Sequence, residues 1–447
     1  MTEKDLLVTP IVILLVFMGA YLIRPYVTNS LTRKYYFPAL LVKITGALAV
    51  GFIYQFYYGG GDTFGYHTHG SQWIWKAIMD SPLEGLKLLF MGGKVHFPET
   101  YQYSSQIWYF RDGASFSVIR VAAFFDILTG GTYAGTAVLF ATFAFSGGWM
   151  WYKAVAERYP TLSKWLAIAI LFVPTVVFWG SGILKDSITL ALLGWVIYAL
   201  DRIIYDRVRL VLLIIVILSF WGIYMIKIYI LLCLIPALLF WIFFKHISRI
   251  NSIVLRGMIG PLIVVLNIIM AYYILQTVSG GSKRYSLDKI AETAKITAYD
   301  IRYGWGARDG IGSGYSLGEL DGTFSSMIRL APSAINVSLF RPYLFEAGNP
   351  LMMMTSLEAL GLLIFTLVVI YKVKLRVFRL FFKPDIFMSL LFSISFAFAV
   401  GISTYNFGTL SRYKIPLVPF YLVGLILMMY YSNKERKLDV LESTEKD

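Results

Sequence analysis

Four groups of ionisable residues stand beside long apolar runs, where a charge is costly unless it has a partner or a task. The first is Asp62 with His67 and His69, in YGGGDTFGYHTHG. Gly59, Gly60 and Gly61 let the backbone turn sharply just before the carboxylate. A carboxylate at a partly desolvated mouth can have a raised pKa and act as a general base, which makes Asp62 the candidate catalytic residue. His67 and His69 are candidates for holding substrate. The plain alternative is a loop acid beside two solvated histidines. His-x-His shares a face only on a strand, and the spacing supplies no third ligand, so no metal site is expected.

The second group is FWGSGILKDSITL, residues 178–190. An apolar run ends at Gly180, Ser181 and Gly182 and another begins. The new helix presents free N–H groups beside Lys185, which together suit an anion. Asp186 favours the same helix end or pairs with Lys185; the alternative is a tight helical hairpin with a snorkelling lysine. Lys227, at the following turn, reads as an interface anchor. The third group is Arg341, Glu346, Asn349 and Glu358. Arg341 can grip a phosphate with two parallel hydrogen bonds, or it can form a structural ion pair with Glu346 or Glu358. Glu358 lies about two turns inside an apolar helix, where an ionisable group faces a bundle interior or a wet cavity. The fourth is Arg412 and Lys414 in TYNFGTLSRYKIP, a short turn richer in cations than its counterparts. Its partner is an anionic headgroup, a substrate pyrophosphate, or an acid of a neighbouring loop.

The Gly-rich stretch 304–322 places Gly310, Gly312 and Gly314 at alternate positions but matches neither GxGxxG nor GxxxxGKS/T, so nucleotide binding is set aside. Asn336-Val337-Ser338 is a weak glycosylation sequon. Cys233 is the single cysteine, which excludes a disulfide scaffold.

These residues must be positioned by helices in a membrane. Residues of the AVILMFWYC set make up 58% of the 447, only 15% are charged, and the mean hydropathy is +0.67. Such a chain lacks the polar surface that a water-soluble shape needs. The fold class is therefore an all-α polytopic membrane protein. Stretches long enough to cross about 30 Å of hydrocarbon occur at 6–24, 38–58, 132–152, 164–182, 186–202, 209–224, 228–245, 258–278, 352–371, 386–404 and 413–431, about eleven in all. Residues 115–127 are apolar but short and carry Arg120 and Asp126; they read as a juxtamembrane or re-entrant helix. The first stretch lacks the basic region and cleavage site of a signal peptide and reads as a span.

With eleven spans, more than half of the 40 basic residues fall in alternate connections and the C-terminal tail. They include Arg24, Arg33, Lys153, Arg158, Arg202, Arg207, Lys372, Lys374, Arg376 and Arg379, with Lys434, Arg436 and Lys437 in the tail. Those segments hold most of the net charge of +14. The charge therefore reports topology, N-terminus outside and C-terminus cytoplasmic, and attraction to anionic inner-leaflet lipid; it is not a nucleic-acid footprint. The expected organisation is one membrane-embedded domain, 1–431, with a polar, frayed tail at 432–447. Its two long outer loops, about 58–131 and 279–351, carry amphipathic or polar helices near 71–90 and 286–299.

This plan resembles the integral-membrane C-type glycosyltransferases and the related bacterial O-antigen polymerases. Asp62 stands near the start of the large first outer loop, where that family has an acidic residue, although one span precedes it that the family's usual plan lacks. The second long outer loop, with LFRPYLFE, and the outer-face cations around Lys185 in FWGSGILKD, Arg341 and Arg412 are similar to the polymerase pattern. The resemblance implies a multi-pass enzyme of the bacterial cytoplasmic membrane. Its donor is a polyprenyl-phosphate- or pyrophosphate-linked sugar, and a glycan or lipid is the acceptor. No cofactor is implied. Asp62 then orients or deprotonates the acceptor hydroxyl. Lys185, Arg341, Arg412 and Lys414 neutralise the departing phosphate, a charge that grows in the transition state. Outer-loop aromatics such as Tyr66, Trp73, Tyr303 and Trp305 stack on sugar rings. The chief rival is a transporter or lipid-linked glycan flippase, which needs charges through the whole bilayer; such charges are scarce, with Lys43 near the inner end of its span and Glu358 toward the outer end of its own, and the ionisable residues collect on the outer face.

Overall fold

The computed structural model describes residues 2–91, 93, 95–247, 265–270, 272–274, 276–277, 289–305 and 313–444. The chain forms two compact units, Met1–Lys227 and Ile228–Asp447. Among the described residues it is all-helical apart from one antiparallel bridge, Gly314 to Asn406. Among the described residues six helices are long and apolar enough to cross a membrane, or up to eight spans if two bent pairs each count as one.

The first unit opens with two apolar helices, α1 (Glu3–Val27) and α2 (Arg33–Tyr57). Then come the short helices α3 (Asp62–Tyr66), α4 (Gln72–Asp80), α5 (Pro82–Phe90) and α6 (Tyr101–Ser104). After them run α7 (Gly113–Thr129), α8 (Tyr133–Arg158), α9 (Ser163–Leu171), α10 (Pro174–Trp179), α11 (Lys185–Tyr205) and the first part of α12 (Leu210–Ile247). The α8 helix is the hub, packed against α1, α2, α9 and α11. Its crossing with α11 is close because glycines meet there. A Cβ on Gly147 would run into the Ala191 carbonyl, and one on Gly194 into the Gly147 carbonyl. Small residues at such a crossing let backbones approach where lipid offers no hydrophobic drive.

The second unit contains the remainder of α12, then α13 (Ile290–Tyr299), α14 (Phe324–Arg329), α15 (Ala331–Phe340), α16 (Pro350–Val373), α17 (Arg376–Phe381), α18 (Pro384–Thr404), α19 (Phe407–Tyr413) and α20 (Leu417–Thr444). The α18 helix is central, packed on α13, α15 and α20.

The spans differ from eleven plain crossings in specific ways. The stretch at 164–182 divides into α9 and α10, because Pro174 forces the preceding Val173 to extended angles (φ −66°, ψ 125°). The stretches at 209–224 and 228–245 lie in α12, with Lys227 at non-helical angles between them (φ −145°, ψ 75°). Residues 115–127 do form a helix, α7, bent by 115° against α8. The last stretch is broken as well, α19 turning by 62° into α20. Of the stretch at 258–278, residues 265–270, 272–274 and 276–277 are described, and they are helical. The expected amphipathic helix at 71–90 is two helices, broken at Ser81 before Pro82. The C-terminal segment is not frayed at Ser432: α20 continues to Thr444, its polar part tied down by Arg376 to Asp439 and Arg379 to Glu435.

Candidate functional site

In the first unit the three glycines before Asp62 have φ of +67°, +137° and +127°, angles that strain any residue with a Cβ. The turn they make starts α3 at Asp62. The acid is half-buried and stands at a helix N-terminus, where a negative charge is favoured. Aromatic rings crowd this entry. A Cβ on Gly61 would meet the Tyr54 ring at 2.7 Å, and Tyr54 contacts Tyr58 (centroids 5.3 Å) and Trp179 (6.3 Å). Tyr57 and Tyr58 are exposed.

Beyond α3 the chain makes a wide π-helical turn, His67–Ser71, of the kind that often marks functional sites. It sends the two histidines to different places. His69 stacks flat on Trp108, with centroids 3.7 Å apart. His67 points inward, only 1% exposed, with Nε2 3.3 Å from the Asp126 carboxylate, itself 0% exposed. Thr136 donates to the same carboxylate oxygen at 2.5 Å. Tyr133 stands edge-on to the imidazole and shares a 2.7 Å hydrogen bond with Thr63. His67 therefore belongs to a polar knot that ties the π turn to α7 and α8, and not to an open surface. Among the described residues no three His, Cys, Asp or Glu side chains gather as a metal would need.

Lys185 begins α11 and reaches Asp112, with Nζ 3.4 Å from Oδ2. Burial pushes the Asp112 carboxyl up, but the Ser115 hydroxyl, the Lys185 charge and the Ala114 N–H together hold it below its ordinary value. Asp186 turns the other way. It is buried in an ion pair with Lys227, so Lys227 is a partner inside the unit and not the simple interface anchor its position suggested. Two trails of contact lead from Asp62 toward Lys185. Along one, Tyr54 touches both Gly61 and Trp179, just before the Gly180–Gly182 turn. Along the other, Tyr109 packs on Gly65 (a Cβ there would lie 2.7 Å from its ring), and Asp112, three residues on, grips Lys185. Both trails stay within the first unit and run through intermediate residues; the contacts are relayed, not direct.

Comparison with protein families, curated proteins and solved structures finds no match to this chain. The geometry of each unit is thus the basis for reading function.

In the second unit Arg341 forms an ion pair with Glu346, its Nε 3.0 Å from Oε2. Its guanidinium also lies over the rings of Phe407 (5.3 Å), Tyr343 (5.7 Å) and Tyr315 (6.0 Å). The hydrogen bond to Glu346 raises the Arg341 pKa further. At Glu346, burial pushes the carboxyl up, but Arg341 and the Tyr343 N–H outweigh it and keep it low. The structural ion pair foreseen for Arg341 is therefore present, and it is with Glu346. Asn349 caps α16 through the Met352 N–H at 2.9 Å. Glu358 and Arg412 are half-buried. Lys414 is 0% exposed and sits at the break between α19 and α20. Its Nζ makes no hydrogen bond among the described residues, and the charge that acts on it is that of Glu358.

Of the aromatics expected to stack on sugar, Tyr66 is buried against Tyr109, Trp73 lies beneath the Lys76 ammonium, and Tyr303 is exposed beside Tyr299. The Trp305 side chain lies outside the described residues. Sequence reasoning gave Asp126 and Asp112 no role and missed the depth of Lys43. Lys43 is buried within α2 and donates to the carbonyls of Val176 (2.9 Å) and Gly180 (3.0 Å). An acid inside an apolar run was the available signal for Asp126; nothing in the sequence tied it to His67, its partner from a distant segment.

Proposed function

We propose that the chain is an integral-membrane glycosyltransferase or polysaccharide polymerase that uses a polyprenyl-phosphate- or pyrophosphate-linked sugar at the outer face of the bacterial cytoplasmic membrane. The observation that supports the reading is the set of groups held by the first unit. It contains a half-buried acid at a glycine turn, a lysine at a helix N-terminus, and tyrosines and a tryptophan on the segments between them. A hydroxyl nucleophile, a sugar ring and a phosphate leaving group need these three kinds of residue.

In the proposed step Asp62 accepts the proton of the acceptor hydroxyl as its oxygen bonds to the anomeric carbon. The bond from that carbon to the phosphate oxygen breaks, and the phosphate carries away the electron pair. Lys185 meets the charge as it grows, aided by the N–H groups of α11. Its link to Asp112 is 3.4 Å long and partly exposed, so an entering phosphate can share the ammonium. Tyr57 and Tyr58 offer ring faces to the sugar. Arg341, Arg412 and Lys414 of the second unit are proposed as further phosphate or headgroup ligands, each testable by itself. The proposed orientation keeps the N-terminus outside and the C-terminus in the cytoplasm.

The test is incubation of the purified protein with a polyprenyl-linked glycan and an acceptor. A new glycosidic bond is expected, and Asp62→Asn is expected to lower its rate by about 10²–10⁴-fold, the usual worth of a positioned base. Wild-type turnover in that variant, with the protein folded, removes Asp62 from the mechanism.

One observation favours the rival. Lys414 is buried at a break in an apolar segment, acted on by a carboxylate, with no hydrogen bond on its Nζ among the described residues. Transporters use such arrangements, since discontinuous helices build their binding sites. Passage of a lipid-linked glycan across proteoliposomes without any new glycosidic bond would establish that reading instead.

A further inference from the structure

The short helix α17 and its flanks join two apolar helices, α16 ending at Val373 and α18 beginning at Pro384. Both neighbours are long and apolar enough to cross a membrane, which pins this connection to the level of the lipid headgroups. The stretch reads YKVKLRVFRLFFK, with Lys372, Lys374, Arg376, Arg379 and Lys383 and no acid.

One side of α17 is already occupied. Leu380 is buried. Arg376 is paired with Asp439 and also donates to the Ser432 carbonyl, and Arg379 is paired with Glu435. Lys383 lies over the Tyr431 ring. The opposite side is apolar and open: Leu375, Phe378 and Phe382, spaced i, i+3, i+7 on one helical stripe, are 82%, 71% and 61% exposed. Lys372 and Lys374 are exposed beside this stripe. Lys374 turns the chain out of α16 at φ +53°, a strained angle for a residue with a Cβ. An apolar stripe between cations, held at headgroup depth by a span on either side, suits an interfacial segment.

We propose that residues 371–383 form a docking surface for anionic phospholipid. Leu375, Phe378 and Phe382 enter the upper acyl region, while Lys372 and Lys374 meet the phosphate of an acidic headgroup. Continuity with α16 and α18 decides for a lipid surface over a protein partner, and the run of cations without an acid decides for acidic lipid over zwitterionic lipid. The inference is independent of the reaction proposed above.

The test uses the full chain with Cys233→Ala and Phe378→Cys, labelled with a fluorophore and reconstituted in phosphatidylcholine. Nitroxide-labelled phosphatidylglycerol or nitroxide-labelled phosphatidylcholine is then titrated in. Quenching by both is expected, with phosphatidylglycerol effective at a several-fold lower mole fraction. Lys372→Gln and Lys374→Gln should each erode that preference, by about five-fold at most per lysine at low salt. High salt should erase it in the chain with both lysines intact, a measurement that does not depend on how the variants fold. Equal quenching by the two lipids at low salt, or no quenching by either, would overturn the proposal.

Discussion

Three buried lysines, two in the first unit and one in the second, answer the same problem in different ways. Each is a cation set among apolar helices, where an uncompensated charge costs several kcal/mol. Lys227, at the break in α12, is satisfied by a carboxylate, the buried Asp186 at the start of α11. Lys43, inside α2, donates to two carbonyls at the C-terminal end of α10, where the helix dipole favours positive charge. Lys414, at the α19–α20 break, has the field of Glu358 and, among the described residues, no hydrogen bond on its Nζ. A side chain held by directed bonds reads as structure. Lys414, buried without them, is the one of the three that is proposed as a ligand for phosphate or headgroup.

That contrast can be broken by a graded series. Removing one partner of a buried pair leaves the other charge stranded, so Asp186→Ala or Lys227→Met should destabilise by about 3–5 kcal/mol. Thermal melting of the detergent-solubilised protein measures this, and the double variant Asp186→Leu/Lys227→Met should recover most of the loss. Lys43→Met removes two hydrogen bonds from carbonyls at a helix end, and the same melting assay should show a loss of about 1–3 kcal/mol. Lys414→Met should cost least of the three and leave melting within about 1 kcal/mol of the parent, while lowering binding or turnover of a lipid-linked substrate. A Lys414→Met loss as large as that of Lys227→Met would erase the distinction and return Lys414 to the structural class.

The smallest expected effect concerns an exposed pair. The Asp112 carboxyl is held below its ordinary 3.8 in the folded chain, so the stability it adds is full above that value. It disappears as pH falls through the depressed one. The pair with Lys185 is partly exposed, and screening limits it to a few tenths of a kcal/mol. Asp112→Asn should remove that part of the fall in melting temperature seen on acidification below about pH 4, and the effect should weaken with added salt. A pH dependence unchanged in the variant would show that the ion pair contributes nothing.

How much of this was legible beforehand varies by residue. The glycine turn before Asp62 could be read directly, because three successive glycines beside an acid constrain only the local backbone. Pro174, which splits one expected span, was also present in the sequence. Its effect was hidden because hydropathy averages over a window and does not register one extended residue. Lys185 was correctly placed at a helix start but given Asp186 as an optional partner. The real assignment, Lys185 to Asp112 and Asp186 to Lys227, depends on which way adjacent side chains leave the first turn of α11. Successive residues on a helix diverge by about 100°, so neighbours in sequence face different neighbours in space.

By itself the sequence determined the solvent and the class of structure: its apolar content and run lengths demand helices in a membrane, since every backbone polar group there must be satisfied within its own helix. It also marked some of the bends through glycine and proline, as at Gly59–Gly61 and Pro174, though not the break at Lys227, which has neither beside it. Only the tertiary structure decided which charge meets which. His67 with Asp126, Lys227 with Asp186 and Lys43 with its carbonyls are unions of distant segments. Their geometry turns on a few ångströms of helix packing that no local pattern encodes.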